Sequence, residues 1–182
     1  MTSVWDDVVG QVHAIEQLTS AADSGPVHAY LFIGPPGSTK YQAARAFAAR
    51  VISGGTDPAQ RDARLALTGA HPDVREVRRS GPAISAEQAR EIVRVSSLAP
   101  TESSRKVLIL DEFHLLRPEG AALMLKTIEE PPESTMFIIC ADFVPHELIT
   151  ISSRCARIDF RAIAESVIAA RLLTEGVGPA EA

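Results

Sequence analysis

Apolar residues at Val12, Ile15, Leu18 and Ala22 recur at helical spacing and stop at the breaker Ser24-Gly25-Pro26, which predicts a first helix. The short run Ala29-Tyr30-Leu31-Phe32-Ile33 is apolar at every position and ends at Gly34-Pro35-Pro36-Gly37, the pattern of a buried strand entering a loop. An Ala-rich helix follows over 42–52 and stops at Gly54-Gly55; a further helix is predicted over 57–67. His71-Pro72-Asp73 reads as a turn into a strand over 74–78, and Ser80-Gly81-Pro82 breaks that strand. Ser85 followed by Gln88 has the spacing of a capping box, opening a helix that runs to Leu98 ahead of Pro100. Lys106-Val107-Leu108-Ile109-Leu110 and Thr135-Met136-Phe137-Ile138-Ile139-Cys140 are strands without alternation, as expected where both faces of a parallel sheet are covered. Between them a helix over 119–130 is stopped by Pro131-Pro132; a last strand is predicted over 156–160 and a last helix over 163–173, before Gly176, Gly178 and Pro179. Strands alternating with helices in this way imply right-handed crossovers and a three-layer α/β fold on a mostly parallel sheet of about five strands.

The chain has 182 residues and a mass of 19.5 kDa, enough for one ordinary domain with a short appendage and too little for two. With 46% hydrophobic residues and a mean hydropathy of +0.06, it can bury a full core. A net charge of −5 gives no global basic surface, so any role on nucleic acid must be local or shared with partners. Two cysteines, Cys140 and Cys155, are too few for a disulfide framework. The opening MTSVWDDVVGQ has no signal-peptide pattern, and no apolar run approaches a membrane span, so the expected location is the cytoplasm, with no membrane partner.

Three constellations bear on chemistry. The first is Gly34-Pro35-Pro36-Gly37-Ser38-Thr39-Lys40-Tyr41, placed between strand and helix where backbone N–H groups and a helix N-terminus can face a phosphate. It departs from GxxxxGK[ST] at two places: Thr39 stands where glycine closes the loop, and Tyr41 stands where a small hydroxyl would ligate Mg²⁺. Lys40 remains, so the loop reads either as a weak ATP site or as a former nucleotide loop kept as a structural turn. The second is Asp111-Glu112 at the end of a buried strand, the arrangement in which Asp111 holds Mg²⁺ and Glu112 polarises an attacking water. His114 completes Asp-Glu-Phe-His, an echo of a helicase box in a chain too short for the paired domains helicases need. The third is Leu123-Met124-Leu125-Lys126-Thr127-Ile128-Glu129-Glu130-Pro131-Pro132, followed by Thr150-Ile151-Ser152-Ser153-Arg154-Cys155. The arginines Arg75, Arg78, Arg79, Arg90 and Arg94 form one locally basic stretch, read as a solvated face or as a surface toward DNA phosphates or an acidic partner.

Taken with Trp5-Asp6-Asp7-Val8-Val9-Gly10-Gln11, these runs resemble the AAA+ module of sliding-clamp loaders, a P-loop NTPase fold, and most nearly its bacterial DNA polymerase III delta-prime branch, with gamma/tau relatives second. The resemblance reaches from Trp5 to Phe160 and implies an AAA+ core over 1–161 with a degenerate phosphate loop, then the truncated start of a helical lid over 162–182. It also implies that Arg154 reaches ATP held by a neighbouring subunit, where a guanidinium supplied in trans is worth roughly 10³–10⁵ in rate; the alternative is an arginine capping a helix C-terminus. Relatives carry a cysteine-rich zinc module that is missing between the phosphate-loop helix and His71, so no zinc is expected. The sensor-1 position falls near Ala141-Asp142, where ATP-binding members usually carry Thr or Asn. Those features imply a clamp-loader stator in a hetero-oligomer, with ATP-binding gamma-like and delta-like subunits as partners. The sliding clamp would be reached indirectly, and primed DNA weakly, through the complex. The alternatives are a gamma-like ATPase using Lys40, Asp111 and Glu112, and a non-catalytic structural remnant.

Overall fold

A computed structural model describes residues 2–174. Five strands, β1 (Ala29–Ile33), β2 (Val74–Val77), β3 (Lys106–Leu110), β4 (Thr135–Ala141) and β5 (Ala156–Asp159), form one sheet in the order β2-β3-β4-β1-β5, every pair parallel. The helices are α1 (Val12–Ser24), α2 (Lys40–Ser53), α3 (Arg61–Leu67), α4 (Ala86–Ser96), α5 (Pro118–Glu129), α6 (Ile149–Ser152) and α7 (Glu165–Thr174).

Successive residues of the central strands feed two separate cores, because side chains alternate across a sheet. Tyr30, Phe32, Val107, Ile109, Met136 and Ile138 pack under α1, α2 and α3, while Leu31, Ile33, Leu108, Leu110, Phe137 and Ile139 pack under α4 and α5. The unbroken apolar runs are therefore the signature of a sheet covered on both sides. The alanines of α2 have a matching cause: Ala43, Ala44, Ala46, Ala48 and Ala49 are all buried, so the helix is enclosed on several sides and short side chains let its neighbours approach. Phe47 supplies its bulk, meeting the Tyr30 ring edge-on at 4.8 Å.

Two expected helices are shorter than the pattern predicts. Residues 57–60 form a turn, with Gln60 N–H donating to Asp57 carbonyl, and α3 begins only at Arg61; α4 ends at Ser96 rather than Leu98. The phosphate-loop helix begins earlier than expected, at Lys40. A 3₁₀ turn over Phe113–Leu115 and the one-turn α6 are too short to leave a periodic signal.

The chain order makes a switch point between β1 and β4. From β1 the chain passes through α2 and α3 to the far edge strand β2, then returns through β3 to β4 beside β1. Ligand sites of open α/β sheets lie at the carboxyl ends of the strands at such a point. Here that rim carries the 34–39 loop, Asp111 and Asp142.

Candidate functional site

Gly34 leaves β1 pressed against the residue that follows β5: a Cβ there would lie 2.6 Å from both Cβ and the carbonyl oxygen of Phe160, so only glycine fits. Gly37 takes φ +76 and Thr39 φ +57, both left-handed, the second at a β-branched residue for which this conformation is strained. Thr39 is held there by its hydroxyl, which donates to Val9 carbonyl at 3.2 Å. Ser38 is buried, and its hydroxyl has no hydrogen-bond partner among the described residues. Gln11 clasps the loop from behind, donating to the carbonyls of Ser38 (3.0 Å) and Arg161 (2.7 Å) and accepting from Arg161 N–H (3.1 Å).

Lys40, at the first turn of α2, does not stand free. Its ammonium donates to Pro35 carbonyl at 3.2 Å and to Asp142 Oδ1 at 2.7 Å, with the lysine largely buried. Asp142 is fixed in turn by His114, whose Nδ1 accepts Asp142 N–H at 3.2 Å and whose Nε2 lies 3.6 Å from Asp142 Oδ2. The sequence places the sensor-1 position near Ala141-Asp142 and gives His114 no role there. In the fold the two residues hold the loop lysine in place.

Tyr41 points away from the loop. Its hydroxyl donates to Glu76 on β2, while Arg45 binds the same carboxylate at 2.6 and 2.8 Å. The guanidinium of Arg78 lies 4.6 Å from the Tyr41 ring centre, and that of Arg45 lies 5.2 Å from it. Burial and the Glu76 carboxylate push the Tyr41 phenol up to about 12. Burial alone would raise Glu76, but the Arg45 and Tyr41 hydrogen bonds leave its pKa lowered. A cavity of about 180 Å³ remains between Gly37, Lys40, Tyr41 and Asp111.

Asp111 accepts Glu112 N–H at 2.9 Å and lies 3.9 Å from Arg78 Nε; burial raises its pKa against these attractions. Glu112 takes a left-handed φ of +50, and Arg79 binds its carboxylate at 2.7 Å. The basic stretch thus divides: Arg78 and Arg79 serve the two strand-end carboxylates, Arg94 pairs with Glu91, and Arg75 and Arg90 are exposed.

Arg154 lies elsewhere on the molecule, just past α6. One amino group donates to the carbonyl of Thr150 at 2.7 Å and to the Ser153 hydroxyl at 3.2 Å, and the other meets Glu129 at 2.6 Å. It therefore covers the end of α6, as a capping arginine would, while a third of its side chain stays open to solvent. Cys155 beside it is largely buried, its thiol pushed up to about 12; Cys140, wholly buried in β4, is pushed up as well, and neither thiol is primed to react.

A glycine-led loop between β1 and α2, an acidic pair ending β3 and the β2-β3-β4-β1-β5 order define a P-loop NTPase fold. The family model described as "DNA polymerase III, delta subunit" matches residues 10–164, and the chain belongs to that family. It is 36% identical over 175 residues to DNA polymerase III subunit tau of Bacillus subtilis, covering 92% of this chain and 31% of that protein. It is 31% identical over 156 residues to subunit delta' of the same organism, covering 84% and 47%. Among solved structures, a DNA polymerase III gamma subunit-related protein of Thermotoga maritima matches with TM-score 0.67 at 21% identity, over 91% of this chain and 50% of that one. The RuvB P216G mutant from Thermotoga maritima matches at 0.60 and 19%, over 96% and 53%. The chain thus spans about half or less of these relatives' lengths. Among the described residues no helix is long and apolar enough to cross a membrane.

Proposed function

We propose that the chain is a clamp-loader subunit working as a stator: it turns over no ATP itself and supplies Arg154 to ATP bound by a neighbouring subunit in the cytoplasm. The observation that carries this reading is the occupation of the phosphate-loop groups by the chain's own side chains. Lys40 is committed to Asp142 and Pro35, and Tyr41 to Glu76. The residues present do not fit Mg²⁺ in the usual way. No small hydroxyl follows Lys40, and Asp111 faces the guanidinium of Arg78, where a divalent cation would be repelled. Glu112 meets Arg79 in an exposed, screened pair, so the reading rests on Lys40, Tyr41 and Asp111 and not on Glu112. Arg154 keeps a third of its side chain open at the surface, and a phosphoryl group losing its bond to a leaving oxygen develops charge that a guanidinium stabilises.

On this reading the AAA+ core occupies 1–161 and α7 belongs to the start of a truncated helical lid over 162–182, of which 175–182 lie outside the described residues. Partners are ATP-binding relatives of the gamma/tau kind and a delta-like subunit, with the sliding clamp and primed DNA reached through the complex. The competing gamma-like ATPase would need Lys40 to leave Asp142.

Two measurements test the proposal. Titration of the purified chain with ATP and Mg²⁺ is expected to show no submillimolar binding; such binding, abolished by Lys40→Ala, overturns it. Arg154→Ala is expected to leave the chain folded and to lower the ATPase of the complex with its partner at least about tenfold. Unchanged complex ATPase removes the finger assignment.

A further inference from the structure

We infer that Glu129 is the resident counter-ion of Arg154, a positioning residue that parks the guanidinium on its own chain until a phosphate of the neighbouring subunit displaces it. The inference rests on Arg154 serving a neighbour's ATP. Glu129 is the last residue of α5, where Glu130 N–H closes the helix on Lys126 carbonyl and Pro131-Pro132 forbid continuation, so its backbone has a fixed place. Its carboxylate meets Arg154 Nη2 at 2.6 Å, while Nη1 of the same guanidinium is anchored by the Thr150 carbonyl and the Ser153 hydroxyl.

The anchors on Nη1 hold the group at the end of α6 whatever happens to the other amino group. The contact with Glu129 is different in kind. Both side chains are more than a third exposed, so water screens the pair and its worth is small. A triphosphate carries more charge than one carboxylate and, inside a closing interface, acts through a lower dielectric. The stronger anion takes the amino group, but it must first overcome the weaker one. Glu129 therefore keeps the guanidinium oriented when no neighbour is seated and imposes a modest threshold on its engagement.

Removing a competitor that acts before chemistry strengthens ground state and transition state alike, so the gain falls on KM. In the reconstituted complex of this chain with its ATP-binding partner, Glu129→Gln is expected to lower KM for ATP about two- to fivefold, the range of an exposed ion pair. Glu129→Asp is expected to restore the original value, and Glu129→Gln in an Arg154→Ala background to leave KM unmoved. A fall in kcat with Glu129→Gln, or no change in KM while Arg154→Ala still lowers the ATPase, overturns the counter-ion role and leaves the finger standing. If Arg154→Ala itself has no effect, both fall together. Thermal melting of each variant chain, expected within about 4 °C of the parent for an exposed pair, separates these effects from misfolding.

Discussion

Asp73 is wholly buried, and burial alone would raise its pKa, yet the backbone N–H groups of Thr101, Glu102 and Ser103 all point at its carboxylate and leave the pKa lowered. A depressed folded-state pKa stabilises the protein where the unfolded chain would already be ionised. The contribution is complete above about pH 5 and is lost as pH falls through the folded value. Asp73→Asn is therefore expected to lower stability at pH 7, and the gap to the parent, followed by urea melts, to shrink toward pH 3. A gap independent of pH would show that the charge is not what matters. The same scale shows what sequence could and could not reveal. That Tyr41 cannot serve as a small hydroxyl follows from its size, and its hydroxyl is found on Glu76. That Asp142, Glu76 and Glu129 would be the partners of Lys40, Arg45 and Arg154 was not legible, because each pair joins distant segments and no local spacing encodes it.

Elements were read correctly where one physical cause dominated. β1, β3 and β4 are apolar at nearly every position because two cores compete for alternate residues. The edge strand β2, with Val74 buried and Arg75 exposed, carries a weaker signal, yet the turn before it, where Val74 N–H donates to His71 carbonyl, marks its start. At α4 the capping box predicted from Ser85 and Gln88 is present in both directions. Ser85→Ala is expected to cost about 1 kcal/mol in a denaturant titration, and Ser85→Asp to restore most of it. The far end of α4 is closed from another element: Lys106 on β3 donates to the carbonyls of Val95 and Leu98, a cation at a helix C-terminus. This lysine falls in a run that reads simply as strand, so its second task was invisible in the sequence.

For the molecule as a whole, the parallel sheet and both covering layers follow from the alternation of elements, while the strand order is not encoded there and the loop–helix contacts that tie up the phosphate site depend on which distant carboxylates the topology brings to the rim. The Gln11 side chain joins three parts of the chain: the N-terminal arm, the loop at Ser38 and the segment leaving β5 at Arg161. Gln11→Ala leaves buried backbone groups unpaired and is expected to cost about 1–3 kcal/mol. For a chain of this size each kcal/mol lowers the melting temperature by about 2–4 °C, which calorimetry would register. The clasp also has a mechanical meaning. Residues after 161 do not hang from the sheet by β5 alone; one amide bolts them to the loop and to the arm below it. A pull on that downstream segment is borne by the rim as one frame, with little slack to absorb it.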